Sequence, residues 1–207
     1  MTRIVIFARA PVRGACKTRL IPVLGPEGAA QLHAAMVERA LQTALASGLG
    51  PVELHGAPDV EHPFFQSLKV RLPITFVSQI PGDLGARMHA VFASAHGPTL
   101  LMGTDAPCIT PEHLRACAAA LAEGHDAVFL PAEDGGYGLV GLAKPCPEIF
   151  TDMPWGTAAV MAETRSRLRA LGRSCFEPAT IWDVDEPADL LRLQQSGLMS
   201  FPPIPSP

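Results

Sequence analysis

The sequence predicts an α/β protein with a three-layer αβα, Rossmann-like architecture and a mostly parallel central sheet. Two observations carry this. Short apolar runs rich in β-branched residues alternate with longer segments of helical periodicity, the pattern of βαβ units with right-handed crossovers. The runs at 3–8 (RIVIFA) and 99–102 (TLLM) are near-continuously apolar, as strands buried on both faces must be. The chain has 207 residues, 48% hydrophobic and 17% charged, enough to bury a core without a metal or disulfide staple.

The elements follow in order. After the first strand, residues 26–47 place Leu32, Met36, Val37, Ala40, Leu41, Ala44 and Leu45 on one helical face, with Gly48 at the C-cap position. Residues 52–55 and 74–77 are short strands, and a short helix is expected around 64–68 between them. Residues 82–95 carry Leu84, Met88, Val91, Phe92 and Ala95 at helical spacing. The strand at 99–102 leads into the polar turn GTDAP, and Thr110-Pro111-Glu112 opens a helix that runs to about Ala122. Residues 127–131 and 137–142 are strands joined by a tight turn at Asp134-Gly135-Gly136. Helices are expected over 157–171 and 185–193. Residues 1–195 read as a single domain, and 196–207 (SGLMSFPPIPSP) as a loose Pro-rich tail.

Composition excludes several classes of function. Sixteen Lys+Arg against twenty Asp+Glu give a formal charge of -4, whereas a domain that grips nucleic acid through phosphates is basic. The apolar run that begins at Ile4 stops at Arg9, far short of the ~20 residues that span a bilayer, so no membrane association is expected. Five cysteines without a C-x-x-C pair argue against a disulfide framework or a zinc site and favour a reducing cytoplasm.

In open α/β sheets ligands bind beyond the carboxyl ends of the strands, so the residues after each strand carry the functional reading. After the first come Arg9, Arg13, Lys17 and Arg19 in one loop, which suits a polyphosphate. Lys17-Thr18 resembles a Walker A ending, but Cys16 and Pro11 stand where both glycines should be, and G-x-G-x-x-G is absent; a P-loop NTPase is excluded. The alternative is a solvated basic loop. Cys16 beside Lys17 has the setting for a lowered thiol pKa but no partnered histidine, so a nucleophile is not expected.

The later strand ends carry carboxylates instead: Asp105, then Glu133 and Asp134, then Asp183 and Asp185. Cations and carboxylates converging at one sheet edge suggest Mg2+ or Mn2+, which take one or two carboxylates plus substrate phosphates. Asp105 is either a metal ligand or a turn-forming aspartate before Pro107. Asp134-Gly135-Gly136 either presents a carboxylate and backbone N–H groups to a hydroxylated ligand or is an ordinary hairpin turn. Trp155 either stacks on a ligand or belongs to the core. The seven histidines show no metal spacing and read as surface or satisfied core residues.

The spans FARAPVRGACKTRL (7–20), DLGARM (83–88), GTDAPCIT (103–110), PAEDGGYGLVGL (131–142), WGTAAV (155–160) and DVDEPADL (183–190), taken in order, resemble the radical-SAM/selenodomain-associated transferase 1 family, also called arsenosugar-biosynthesis-type glycosyltransferases. That family belongs to the GT-A, or nucleotide-diphospho-sugar transferase, superfamily. At a greater distance it is similar to guanylyl- and cytidylyltransferases such as 2-phospholactate guanylyltransferase. The resemblance implies a GT-A fold in which residues 8–19, with Ala8, Arg9, Gly14, Lys17 and Arg19, hold nucleotide and phosphates, while Gly82 and Arg87 help to form the base pocket. It implies Asp105 as a metal ligand, with the superfamily's D-x-D reduced to Thr104-Asp105-Ala106, and Asp185 or Asp183 as the second ligand, Asp185 being the choice taken. It places Asp134, Gly135, Gly136, Tyr137 and Trp155 toward the acceptor, and makes Lys17, Asp105 and Asp134 the catalytic set. The expected activity is metal-dependent glycosyl transfer from a nucleotide-diphosphate sugar to a small acceptor. The alternatives are nucleotidyl transfer from a nucleoside triphosphate to a phosphorylated acceptor, and nucleotide binding without turnover. A homodimer is the default assembly for such an enzyme.

Overall fold

The computed structural model describes residues 1–199. The strands are β1 (Arg3–Arg9), β2 (Val52–Ala57), β3 (Thr75–Ser78), β4 (Thr99–Met102), β5 (Ala127–Pro131), β6 (Tyr137–Leu142) and β7 (Cys175–Phe176). The helices are α1 (Ile21–Ser47), α2 (Pro63–Arg71), α3 (Leu84–Ala93), α4 (Pro111–Ala122), α5 (Val160–Ala170) and α6 (Pro187–Ser196), with 3-10 turns at Thr18–Leu20 and Pro147–Ile149.

The strands form one seven-stranded sheet in the order β3-β2-β1-β4-β6-β5-β7. All pairings are parallel except those of β6 with β4 and with β5, so β6 alone runs against the rest. Alternation along the strands divides the core. Ile4, Ile6 and Ala8 of β1 pack with Val37 and Leu41 of α1, Phe65 and Leu68 of α2, and Leu114 and Leu121 of α4 on one face. Val5 meets Met88, Val91 and Phe92 of α3 and Met161 and Leu168 of α5 on the other. A smaller cluster joins Leu190 and Leu193 of α6 to Leu32 and Met36 of α1, with Leu20 and Val184 between them. The architecture is the expected three-layer αβα arrangement. No helix among the described residues is long and apolar enough to cross a membrane.

Local chemistry sets the boundaries. α1 begins at Ile21 rather than 26, but Gly25 (φ 69) interrupts it and Pro26 restarts it, so the expected helix is its second piece. The helix expected over 82–95 starts at Leu84 because the Asp83 carboxylate accepts the Ala86 N–H at 2.7 Å. Thr110 caps α4 as expected, with His113 completing a capping box. The helix expected over 157–171 starts at Val160, since residues 155–159 form turns. That expected over 185–193 is Pro187–Ser196, where Asp189 Oδ2 accepts the Glu186 N–H at 2.7 Å. β7, only two residues long, carries no recognisable strand pattern. The expected tail begins at the last residue of α6; Leu198 and Met199 pack against the α6 cluster, and residues 200–207 lie outside the described residues.

Gly141 in β6 shows how closely the layers approach: a Cβ there would lie 2.4 Å from Leu100 Cδ2 and 2.5 Å from Val128 Cγ2. Both neighbours are fully buried and cannot swing into solvent. Gly141→Ala is therefore expected to destabilise the fold by about 1–3 kcal/mol in urea unfolding; an unchanged midpoint would contradict this packing.

Candidate active site

A cleft of about 700 Å³ opens beyond the carboxyl ends of the parallel strands. It lies across the boundary between β1 and β4, where strand order reverses, the position at which open α/β sheets bind ligands. The lining charges are unevenly spread: Arg9 at the end of β1 and Arg87 on α3, with Asp83 at the N-cap of α3, lie toward β1 and β3, Arg19 comes from the β1–α1 loop, and Asp105, Asp134, Asp183 and Asp185 lie toward β4, β6 and the segment before α6.

The cationic side is built on backbone anchors. Arg9 ends β1, and its carbonyl pairs at 3.0 Å with His33 Nε2 from α1. Gln79, immediately after β3, donates its amide to the His55 carbonyl at 2.7 Å and offers Oε1 to Arg87 at 3.3 Å; Arg87 also donates Nε to the Gly82 carbonyl at 3.0 Å. Arg9, Arg13 and Arg87 have no carboxylate within 4.0 Å among the described residues. Arg19 makes one exposed 3.4 Å contact with Glu186. Arg9 and Arg87 line the cleft without an ion-pair partner among the described residues, while Arg13 lies exposed in the β1–α1 loop.

Lys17 is arranged differently. Its backbone adopts the left-handed conformation (φ 45), uncommon for a residue with a side chain, and its ammonium is drawn beneath the cleft. Nζ contacts Asp105 Oδ1 at 2.5 Å, Asp185 Oδ1 at 2.8 Å and the Val184 carbonyl at 2.7 Å, with the side chain only 5% exposed. Burial opposes the charged form, but the two carboxylates, through charge and hydrogen bonding, outweigh it and raise the lysine pKa. The same segment is pinned by backbone: Val184 N–H donates to the Asp105 carbonyl at 2.8 Å, Ile181 N–H to the Pro131 carbonyl at 2.8 Å, and Glu133 N–H to the Ile181 carbonyl at 3.0 Å. Outside it, Arg192 of α6 grips Glu133 with two hydrogen bonds (2.7 and 2.9 Å) and stacks over Trp182.

Asp183 is half-buried among the other acids. Burial, and then the neighbouring charges of Asp134, Asp185 and Asp105, push its carboxyl up to about 6. Asp134 accepts the Gly136 N–H at 2.8 Å, the local bond of the hairpin turn, and remains exposed to the cleft. Gly135 (φ 90) is required there, because a Cβ would lie 2.3 Å from the Ala158 carbonyl oxygen. Tyr137 and Trp155 line the inner wall edge to face at 6.3 Å. The Trp155 indole N–H is buried without a partner.

The structure thus brings Ala8, Arg9, Arg19, Gly82, Arg87, Asp105, Asp134, Gly136, Tyr137, Trp155, Asp183 and Asp185 to one cleft. Gly14 is not among its lining residues and lies exposed in the β1–α1 loop; Gly135 shapes the turn from behind; Lys17 lies below the floor with every ammonium donor used. Cys16 is buried and its thiol pKa is raised, burial outweighing the Lys17 charge, which removes the setting for a thiolate. Among the described residues no group of three or more His, Cys, Asp or Glu could by itself hold a metal. Asp105 and Asp185 do fit a hard cation that draws its other ligands from phosphates and water: each commits Oδ1 to Lys17, and each side chain is about half exposed (52% and 45%). Phe7, His33, Gln79 and Thr157 also line the cleft, and sequence reasoning missed them. Gln79 could have been found by its place after a strand. His33 could not, since it lies on the apolar face of α1.

Burial lowers the His33 pKa, the Arg9 carbonyl only partly offsetting it, and Nδ1 has no partner. Below pH 6.5 the unfolded chain takes up a proton that folded His33 resists, so its contribution to stability is whole above that pH and lost as pH falls. Between pH 7 and 5 the unfolding free energy should fall more steeply for wild type than for His33→Asn, by at most about 1.4 kcal/mol per pH unit. Parallel curves from denaturant titrations would contradict the buried neutral imidazole.

Comparison with known proteins places the fold and the family. A phosphoenolpyruvate guanylyltransferase of Rubrobacter xylanophilus is 31% identical over 207 residues, covering 96% of this chain and 98% of the relative. The crystal structure of a Desulfovibrio desulfuricans G20 protein, provisionally assigned as a nucleotide-diphospho-sugar transferase, superposes with a TM-score of 0.84 at 31% identity, covering 94% of this chain and 87% of the other. A nucleotidyl transferase from Methanothermobacter thermautotroptrophicus shares the fold, with a TM-score of 0.63 at 15% identity over 95% and 97% of the two chains. The protein is a transferase of GT-A-like fold. Residues 40–157 match the model of the family described as "Uncharacterized protein conserved in bacteria (DUF2064)", and the chain belongs to that family.

Proposed function

We propose that the protein is a divalent-metal-dependent nucleotidyltransferase, which joins a nucleoside monophosphate from a triphosphate donor to a small phosphorylated acceptor and releases pyrophosphate. The observation that carries this is the charge of Arg9 and Arg87, which line the cleft without an ion-pair partner among the described residues. A nucleotide-diphosphate sugar bound with a divalent ion is close to neutral, and a neutral acceptor would leave those guanidiniums unanswered. A triphosphate and an acceptor phosphate supply the anions that planar guanidinium donors bind best. The guanylyltransferase, matched over nearly its whole length, supports the same choice.

In this reading Arg9 and Arg19 bind donor phosphates, Ala8, Gly82 and Arg87 border the nucleotide, and Asp134, Gly136, Tyr137 and Trp155 border the acceptor. Asp105 and Asp185 hold the Mg2+ or Mn2+ ion, which when bound neutralises charge on the reacting phosphates. Attack by the acceptor phosphate needs no deprotonation at neutral pH, so Asp134 orients rather than removes a proton. Catalysis then rests on positioning and on cations that neutralise the departing pyrophosphate. The five cysteines, all free, fit a cytoplasmic enzyme.

Glycosyl transfer from a nucleotide-diphosphate sugar is the second reading, favoured by the resemblance to the arsenosugar-biosynthesis-type enzymes and by the Desulfovibrio structure. Pyrophosphate release separates the two. With Mg2+, a nucleoside triphosphate and a phosphorylated three-carbon acid, the wild type is expected to release pyrophosphate, and Asp105→Asn to lose at least about 100-fold in turnover with its fold intact. Arg87→Ala is expected to raise the triphosphate KM more than it lowers kcat. Release of a nucleoside diphosphate from a nucleotide sugar, with no pyrophosphate from any triphosphate, would overturn the assignment in favour of glycosyl transfer.

A further inference from the structure

The resemblance places Lys17 on the donor phosphates, but its ammonium has three hydrogens and three acceptors, Asp105, Asp185 and the Val184 carbonyl, at 2.5 to 2.8 Å. It therefore has no donor left for a phosphate in this conformation. The two carboxylates that it joins are the ones that fit the metal. We propose that Lys17 is the site's resident cation, competing with a divalent metal for Asp105 and Asp185, so that the metal is admitted together with its nucleotide rather than before it. The inference rests on the assignment of Asp105 and Asp185 as metal ligands in the preceding section, but not on which transfer is catalysed.

Four features support it. The ammonium uses one oxygen of each carboxylate, so a cation on the same pair sits within a few ångströms of a fixed positive charge. The lysine is held there by design of its loop: the backbone is left-handed at φ 45, and its carbonyl accepts the Leu20 N–H at 2.9 Å, opening the 3-10 turn that leads into α1. The side chain is almost fully buried while both carboxylates remain half exposed, so the anions are presented to the cleft and the cation is kept beneath them. Finally, Arg9 and Arg87 line the same cleft with no carboxylate within 4.0 Å among the described residues, so an incoming polyanion finds two unpaired guanidiniums. A triphosphate brings enough negative charge to make ammonium, arginines and metal compatible, and a bare metal ion does not. Lys17 thereby couples the two binding events and keeps the carboxylates paired between turnovers.

The test is calorimetric titration of Mn2+ into the full chain without nucleotide, for wild type, Lys17→Met, Lys17→Arg, Arg19→Gln and Asp105→Asn, each checked for folding by circular dichroism. Lys17→Met is expected to bind Mn2+ about tenfold or more tightly than wild type. Lys17→Arg retains the cation and should remain weak, which keeps the inference testable if the methionine variant does not fold. Arg19→Gln removes a cleft charge and releases only Glu186, leaving Asp105 and Asp185 paired with Lys17, and should shift affinity much less than Lys17→Met. Mn2+ binding to Lys17→Met no tighter than to wild type, with Asp105→Asn weakening the wild-type site, would overturn the competition and leave the metal assignment standing. Equal gains from Arg19→Gln and Lys17→Met would also overturn it, as a general field effect. Indifference of Mn2+ binding to both Lys17 and Asp105 would overturn it together with the metal assignment on which it rests.

Discussion

The contact between one lysine ammonium and two aspartates closes this site. Lys17 lies just before α1, Asp105 after β4 and Asp185 before α6, and one buried charge joins all three. Burying an ammonium is costly unless it is paired and its hydrogens are satisfied, and here both conditions are met. The reverse dependence is as strong. Burial, and then the charges of Asp134, Asp185 and Asp105, raise the Asp183 carboxyl to about 6, and Lys17 is the cation in direct contact with two of those three neighbours. The segment from Ile181 to Glu186 is thus held by backbone pairing to the β5–β6 turn, by Val184 to the Asp105 carbonyl, and by Lys17 from below.

The sheet supplies the geometry that gives this contact its use. Because β6 runs antiparallel, it starts at the same edge where the parallel strands end, and so brings the Asp134 turn and Tyr137 to the cleft. The order reversal between β1 and β4 opens a gap between adjacent loops, with the unpaired Arg9 and Arg87 on one side and four of the five lining aspartates on the other. A cleft that offers both free guanidiniums and clustered carboxylates suits a ligand that is itself anionic and metal-bearing. That polarity is the structural argument for a nucleotide. It is independent of the family membership, which by itself names no substrate.

Much of this was legible in the sequence, because strong local signals and the final structure agree. The apolar runs of β1 and β4 read as strands buried on both faces and lie inside the sheet, and Thr110 caps α4 where its side chain predicts. The strand-end rule found Arg9, Asp105, Asp134 and Asp185, which share one cleft. What was not legible depends on long-range placement. Nothing near Lys17 indicates that its partners lie 88 and 168 residues further on, so a loop lysine reads as a phosphate ligand. His33 carries the periodicity of a core position, and only the fold sets it beneath the Arg9 carbonyl. Gly14 shared a motif with Lys17 yet is exposed and absent from the cleft lining.

The claim that the cleft is a metal-assisted nucleotide site is tested most directly by thermal unfolding against nucleoside mono-, di- and triphosphates and nucleotide sugars, each with Mn2+ and with chelator. A ligand bound to the folded state raises its apparent stability. The account predicts the largest rise with a nucleoside triphosphate, present with Mn2+ and lost with chelator. No rise with any nucleotide, or a rise indifferent to the metal, would contradict it.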